Sequence, residues 1–188
     1  MTDLTISLKG GWCYVNDQEY KTVNMLVRNM IDVWSKRGIV FLNVSPRADG
    51  IINEEQRERL AGIGEWLKRH GEAVYGTRAH TTYGYGDAAH IKGSHGGQSA
   101  KMEYTNKDVR FTRSKDGKTL YIFTLGMPKA NSQLQFRSVT NINTKIKRVS
   151  VVGSKSKVKW SYSGDKLTLK TPAAKEMDSV ATVFKVEF

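Results

Sequence analysis

Residues 38–46 read GIVFLNVSP, and this stretch decides how the first part of the 188-residue chain is interpreted. Its apolar run, 39–44, shows little alternation, which is typical of a strand buried on both faces of a parallel sheet. Just before it, residues 21–37 predict a helix, with Gly38 in the left-handed capping conformation. The helix carries one apolar stripe of helical period, made by Val23, Leu26, Val27, Met30, Ile31 and Trp34.

A second helix is predicted after the strand. Asn53, followed three residues later by Gln56, has the spacing of a capping box, and Gly71 supplies a stop. Its buried stripe is expected at Leu60, Ile63 and Leu67. The order helix, strand, helix indicates α/β architecture. Fewer than eighty residues cannot close an eight-stranded barrel, which takes roughly 250 residues.

The chain changes character after residue 76. Glycines and hydroxyl residues dominate residues 76–100, so we predict a loop or linker over 79–100. Beyond it, about seven short β-branched and aromatic runs predict an antiparallel β-sandwich over 101–188. The fold class is therefore α/β first and all-β second. The predicted strands are Val109–Thr112, Thr119–Leu125, Gln133–Phe136, Ile146–Val152, Val158–Tyr162, Leu167–Lys170 and Val180–Phe188.

The formal net charge of +12 raises the question of a nucleic-acid partner. Residues 1–100 contribute +1 (12 basic, 11 acidic) and residues 101–188 contribute +11 (18 basic, 7 acidic). Alternate lysines in predicted strands indicate a solvated sheet face that opposes aggregation. A nucleic-acid groove would interleave aromatic residues with the charges, and here they do not share a face. We therefore expect no nucleic-acid partner. The lysines are Lys145, Lys147, Lys155, Lys157 and Lys159.

The residues that most often hold metals or act as nucleophiles form no recognisable pattern. Four histidines occur, His70, His80, His90 and His95. The stretch from His90 to His95 lacks metal-ligand spacing and partners, so loop histidines in water are expected there. Cys13 is expected to be a small buried residue. No cofactor is predicted, and no apolar run is long enough to span a membrane. The first residues lack the order of a signal peptide, which leaves the compartment open.

A series of motifs in a fixed order carries more information than any one of them. Trp12-Cys13-Tyr14 and the strand motif through Ser45-Pro46 are followed by Gly64-Glu65-Trp66-Leu67 and by the string from Gly71 to Arg78, GEAVYGTR. In this order they resemble the end of the catalytic barrel of family 29 glycoside hydrolases, the α-L-fucosidases. The resemblance continues with 108–112, Leu120-Tyr121, Trp160 and 183–185, although Cys13 and Ser45 replace glycines usual in the family.

The resemblance implies a fold and a division of the chain. Residues 1–78 would be the last strands and helices of a (β/α)8-like barrel, 79–100 a linker, and 101–188 the antiparallel β-sandwich. The parent protein would be a retaining exo-glycosidase that removes terminal α-L-fucosyl residues from fucosylated glycans. Relatives are often secreted, periplasmic or lysosomal, so the resemblance leaves the compartment open.

The resemblance also implies which site residues the chain has. In the family, the nucleophilic Asp and the acid/base carboxylate lie at or before the position of Met1, so we expect no catalytic residue here. Trp12 is the expected substrate-binding residue, beside the methyl group of fucose; the alternative is that it fills the barrel core. A non-catalytic carbohydrate-binding β-sandwich module and, more weakly, a basic nucleic-acid binder remain as other functions.

Overall fold

The computed structural model of the protein describes residues 2–8, 12–90, 103–139 and 145–188. These ranges contain two α-helices and ten β-strands, with short 3-10 turns at Gly71–Ala73, Asp87–His90 and Ala174–Glu176. The helices are α1 (Val23–Ser35) and α2 (Glu54–His70). The strands are β1 (Thr2–Thr5), β2 (Val40–Asn43), β3 (Thr77–Tyr85), β4 (Val109–Ser114), β5 (Thr119–Thr124), β6 (Gln133–Phe136), β7 (Arg148–Val151), β8 (Trp160–Ser163), β9 (Lys166–Lys170) and β10 (Thr182–Glu187).

The first part of the chain is a small α/β unit. Strands β1 and β2 pair in parallel, with Leu4 opposite Leu42, and both helices pack against them. Each helix begins at a side-chain cap: Thr22 Oγ1 accepts a hydrogen bond from Met25 N at 3.2 Å, and Asn53 Oδ1 accepts one from Gln56 N at 3.3 Å. Both predicted helices are confirmed, together with the α/β character of this part.

Two details of the helix ends differ from the prediction. At the end of α1, Arg37 takes the left-handed conformation with φ 65°, rather than Gly38. A Cβ on Gly38 would lie 2.4 Å from Val33 Cγ1, so close approach explains this glycine. At the start of α2, only one half of the capping box forms, because the Gln56 side chain is hydrogen-bonded to Ser45 instead.

Strand β2 is not buried on both faces, which corrects the prediction for residues 39–44. Val40 and Leu42 pack against the helices, whereas the side chain of Phe41 is 62% exposed. Phe41 lies on the side of the strand pair that faces away from the helices, and the described residues leave its side chain mostly exposed. The two strands form a sheet of their own, so each keeps one unpaired edge among these residues.

The second part is a β-sandwich, as predicted. One sheet has the strand order β3-β4-β5-β10-β7 and the other β6-β9-β8, and all their pairings are antiparallel. Strand β5 shows how the larger sheet serves two cores. Leu120 and Ile122 face the smaller sheet, whereas Tyr121 and Phe123 face the helices. The period of two along a strand produces this division.

All seven predicted strands are present, but an eighth strand of the sandwich was missed. Residues Thr77–Tyr85, taken as the start of a linker, form β3 and pair with β4. The prediction of a linker from residue 79 is therefore wrong for 79–85. Gly84 and Gly86 suggested a loop, yet they allow the backbone to approach β4: a Cβ on Gly84 would lie 2.1 Å from Val109 O.

Other sequence predictions also need correction. None of the five lysines lies in a strand: Lys145 and Lys147 precede β7, and the other three lie in the irregular segment between β7 and β8. All five are exposed as expected. His70 and His80, for which no role was predicted, are buried, at 1% and 8% exposure. Cys13 is exposed rather than buried. The pair His90 and His95 cannot be assessed, because His95 lies outside the described residues.

The two parts are joined by a buried ion pair. Arg110 Nε on β4 donates to Asp32 Oδ1 on α1 at 2.5 Å, and the arginine side chain is fully buried. Its guanidinium lies 5.8 Å from the ring of Tyr83 and 5.7 Å from that of Tyr104. Arg28 on α1 adds hydrogen bonds to three backbone carbonyls of the second part. The helices and the larger sheet thus share one core and a polar junction.

Candidate functional site

The loop after β1 and the turn after β2 meet at the carboxyl ends of the two parallel strands. In parallel α/β folds, this end is where loops assemble binding and catalytic sites. Trp12 lies in the loop after β1, and its side chain is 44% exposed. A large aromatic surface is therefore presented at this end of the strand pair, and the described part of the chain does not bury it.

Two side chains hold the backbone of Trp12 in place. Asn43 Nδ2, at the last residue of β2, donates to the carbonyl oxygen of Trp12 at 3.0 Å. Ser45 Oγ donates to the same oxygen at 2.8 Å. Because one carbonyl accepts from two donors on β2 and its turn, the position of Trp12 depends directly on that strand end.

Gln56 supports this arrangement from α2. Its side chain is fully buried and forms a two-point contact with the backbone of Ser45: Oε1 accepts from Ser45 N and Nε2 donates to Ser45 O, both at 2.8 Å. The Gln56 amide also lies 3.4 Å from the hydroxyl of Tyr20, which accepts a hydrogen bond from Asn53 Nδ2 at 3.0 Å. Gln56, Ser45 and Trp12 form a chain of contacts from helix to loop.

A buried lysine fixes the other side of the loop. Lys21 Nζ donates to Thr5 O at 2.7 Å and to Ser7 O at 2.8 Å, and its side chain is 1% exposed. Burial lowers the pKa of this amine below its ordinary value. Lys21 thereby ties the segment before α1 to the end of β1. The sequence contains no sign of the buried role of Lys21, and it predicts Gln56 only as a capping residue, not as a support of Ser45.

The carboxylates with described structural roles lie away from Trp12. Asp32 binds Arg110 and Lys36, and Glu72 binds Lys185 and the hydroxyl of Tyr121. Asp108 accepts from backbone groups and Asp178 lies near Arg69 and His70. Among the described residues, no group of three or more potential ligands could hold a metal ion. The site thus offers an aromatic surface and hydrogen-bonding groups.

Both parts of the chain match models of known protein families. The model described as alpha-L-fucosidase matches residues 1–72, and the alpha-L-fucosidase C-terminal domain matches residues 102–187. The first match ends just before β3, and the second covers β4 to β10. No helix in the described ranges is long and apolar enough to cross a membrane.

Curated relatives and solved structures agree with these family models. Over 72 residues, 37% of this chain and 16% of the relative, the chain is 39% identical to plasma alpha-L-fucosidase of Rattus norvegicus. It is 26% identical over 161 residues to tissue alpha-L-fucosidase of Homo sapiens, covering 84% of this chain and 30% of that protein. A structure of Thermotoga maritima alpha-fucosidase in complex with fucose superposes with a TM-score of 0.73, at 26% identity, over 98% of this chain and 39% of that one. The chain therefore spans less than a third of the length of these two curated relatives.

Proposed function

Because this chain belongs to the α-L-fucosidase family, we propose that it supplies the carboxyl-terminal part of an exo-acting enzyme that hydrolyses terminal α-L-fucosyl residues with retention. In this proposal the α/β unit forms the last strands and helices of the catalytic barrel, and the sandwich follows it. Since β3 starts at Thr77 and Gly76 takes a φ of 69°, we place the boundary near residue 76. The agreement of both family models, in order along the chain, is the main support.

We propose that Trp12 contacts the methyl side of the fucosyl ring. Fucose lacks a hydroxyl at this corner, and an indole face suits such an apolar edge. The exposure of Trp12 at the carboxyl ends of β1 and β2 supports this role over that of a core residue. The bonds from Asn43 and Ser45 to its carbonyl would hold the loop in position while sugar binds.

Retention of configuration requires two carboxyl groups about 5 Å apart, one as nucleophile and one as acid/base. In our proposal this chain supplies neither of them. The carboxylates described above bind partners at the junction or stabilise turns, which supports structural roles for them. The chain would instead position the sugar and complete the barrel around carboxylates from the remainder of the enzyme.

A chimera tests the proposal. The chain would replace the matched 39% of the Thermotoga maritima enzyme, and release of aryl alcohol from an aryl α-L-fucoside would be measured. We expect the chimera to hydrolyse the fucoside and the isolated chain to release nothing. Replacing Trp12 by Ala in the chimera should raise KM roughly tenfold, the equivalent of about 1.4 kcal/mol of lost contact, whereas Trp12→Phe should retain most of the affinity.

Two results would count against this proposal. Hydrolysis by the isolated chain would mean that it holds both carboxylates. A chimera that melts cooperatively yet neither hydrolyses the fucoside nor binds fucose would mean that this chain does not complete the site. Exposed Ile51→Ala provides a matched control, since its side chain is 55% exposed and bonds to no part of the Trp12 network.

A second candidate function is a non-catalytic carbohydrate-binding module on the sandwich. A groove of about 330 Å³ on the sheet β6-β9-β8 supports it. Gln133, Ser161 and Thr168 offer hydrogen-bonding groups there, and Trp160 contributes part of an aromatic ring. Titration of the isolated chain with fucosylated glycans, read by tryptophan fluorescence, separates the candidates. A signal lost in Trp160→Phe but kept in Trp12→Phe would favour the module.

A further inference from the structure

A second groove lies where the α/β unit meets the sandwich, and three arginines line it. It has a volume of about 480 Å³. Arg37 comes from the end of α1, Arg78 from β3 and Arg113 from β4, and all three side chains are exposed. The volume lies in the range of small-molecule sites, about 300–1,000 Å³.

The register of the sandwich places two of these arginines side by side. Arg78 and Arg113 are directly opposite each other in the antiparallel pair of β3 and β4. Like charges at directly opposite positions destabilise a sheet, because their Cβ atoms are only about 5 Å apart. The fold therefore keeps an unfavourable pair of cations at the wall of the groove, with a third cation nearby.

Within the described ranges, no carboxylate offsets these charges. None of the ion pairs formed by the described residues includes Arg37, Arg78 or Arg113. The guanidinium of Arg78 donates to a backbone carbonyl, that of Thr77, at 2.9 Å. The described residues that line the groove include no acidic side chain. An oxyanion bound here would reduce the repulsion and accept charge-assisted hydrogen bonds from the arginines.

The remaining lining of the groove favours an organic ligand over a bare ion. Trp34, Ile39 and Val74 contribute apolar surface, and Ile39 is 68% exposed. An indole edge and aliphatic groups next to cations suit a ring with an apolar face and an anionic substituent. Sulfated and uronic-acid sugars have this combination.

The arginine groove is separate from the site at Trp12. Ile39 directly precedes β2, whereas the residues that hold Trp12 lie at the last position of β2 and just beyond it. The four residues of β2 separate the two ends by about 13 Å along the strand. A sugar in the arginine groove is therefore not the fucosyl residue at Trp12.

We propose that the groove formed by Arg37, Arg78 and Arg113 binds an oxyanion, a sulfate ester or a carboxylate, carried on a glycan. The choice of a glycan as carrier rests on the proposed function, but the oxyanion site does not. The groove would bind an acidic, fucose-bearing polysaccharide at the end of the strand pair opposite Trp12. Three arginines in a groove of this size match one or two sugar units rather than the long backbone of a nucleic acid.

Calorimetric titration of the chain tests this without any turnover. The probes are a sulfated fucosyl disaccharide, a galacturonic acid disaccharide, the unsulfated fucosyl disaccharide and a single-stranded tetranucleotide. We expect the first or the second to bind, with an affinity that falls as salt rises, and the neutral disaccharide not to bind here. Which acidic sugar binds identifies the substituent. Arg78→Gln and Arg113→Gln should each weaken binding roughly tenfold, the effect of losing one charge-assisted bond.

Two variants make the test specific. Arg113→Glu should abolish binding and also raise the melting temperature, because the introduced carboxylate would lie opposite Arg78 in the sheet; loss of binding through misfolding would lower it. Arg148→Gln, at a 72% exposed arginine on β7, is the control and should leave binding unchanged. Equal binding of the tetranucleotide, or unchanged affinity in Arg113→Gln, would overturn the proposal. If acidic sugars bind here while the chimera fails to hydrolyse the fucoside, only the proposed function falls.

Discussion

The larger sheet of the sandwich and the strand pair of the α/β unit differ in whether other elements pack against both of their faces. The five-stranded sheet is covered on both faces, by the helices on one side and by β6-β9-β8 on the other. The strand pair packs against the helices on one side, and on its other side Phe41 of β2 remains 62% exposed. The larger sheet therefore has a packing partner on each face among the described residues, whereas the strand pair presents an exposed apolar side chain and two unpaired edges. The sandwich and the α/β unit stabilise each other through the shared core between the helices and the larger sheet.

The largest effect should come from a pair of matched substitutions. Phe184→Ala removes a fully buried ring whose centroid lies 5.2 Å from that of Phe136, and should cost about 3–5 kcal/mol of unfolding free energy. Phe41→Ala removes the same atoms from an exposed position and should change stability by less than about 0.5 kcal/mol. Urea unfolding of both variants measures this. Similar losses in the two would mean that the face of β2 is covered in solution.

A buried charge at the junction should have the next largest effect. Asp32→Ala leaves the fully buried Arg110 without its carboxylate, which should cost about 3 kcal/mol. Lys36→Ala removes the partner of the other Asp32 oxygen, but Lys36 is 40% exposed, so the cost should be about 0–1 kcal/mol. Thermal unfolding distinguishes the two. Equal effects would contradict the assignment of Arg110 as the main link between the parts.

The network behind Trp12 should respond more weakly. Gln56→Met keeps the volume but leaves the backbone of Ser45 without both side-chain hydrogen bonds, at a cost of about 1–3 kcal/mol. We also expect faster amide exchange at Ser45 and a shift in the fluorescence of Trp12. Glu58→Gln, two residues later and exposed, is the control. Stability lost without a change at Trp12 would show that Gln56 supports only the helix.

The smallest effect is a pH dependence at the junction. Burial lowers the pKa of His70, with a hydrogen bond to the Trp66 carbonyl and the charge of Asp178 opposing the shift. A lowered pKa means that the unfolded chain binds a proton first, so stability should fall as pH drops below about 6.5. The melting temperature from pH 8 to 5 measures this, and His70→Gln should reduce the slope. Burial lowers the pKa of His80 as well, so His80→Gln should also reduce it; a slope unchanged in both would contradict the assignment.

Much of the fold was predictable because its signals are local. Helix α1 follows from one apolar stripe, and the hairpins β4–β5 and β8–β9 follow from Asp-Gly and Gly-Asp turns, whose Gly117 and Gly164 have φ of 72° and 64°. Strand β3 was missed because Gly84 within it and Gly86 just beyond it, typical of loops, serve a close approach to the neighbouring segment of the chain that only the paired sheet reveals. The exposure of Phe41 depends on what covers β2, which a strand's own residues do not specify.

The candidate site was predictable only in part. Trp12 entered through the resemblance, since no local pattern separates an exposed aromatic residue from a core one. The buried contacts of Gln56 and Lys21 could not be predicted, because each side chain bonds to backbone groups that lie 11 to 16 residues away in sequence. The opposed pair of Arg78 and Arg113 could be recognised only from the pairing register of β3 with β4, and the sequence did not predict β3.

The way in which Arg28 joins the two parts has a consequence for exchanging modules. Its guanidinium binds the backbone carbonyls of Tyr104, Ser179 and Val180, at 3.3, 3.0 and 2.7 Å. Every residue type has a backbone carbonyl, so these hydrogen bonds depend on the path of the main chain and not on the side chains of the three residues. The same helix would accept a sandwich of different composition if its loops follow the same course and it keeps an arginine opposite Asp32. Because of this mode of attachment, residues on the outer surface of the sandwich can change, and different ligands can bind there, without loss of the contacts with Arg28.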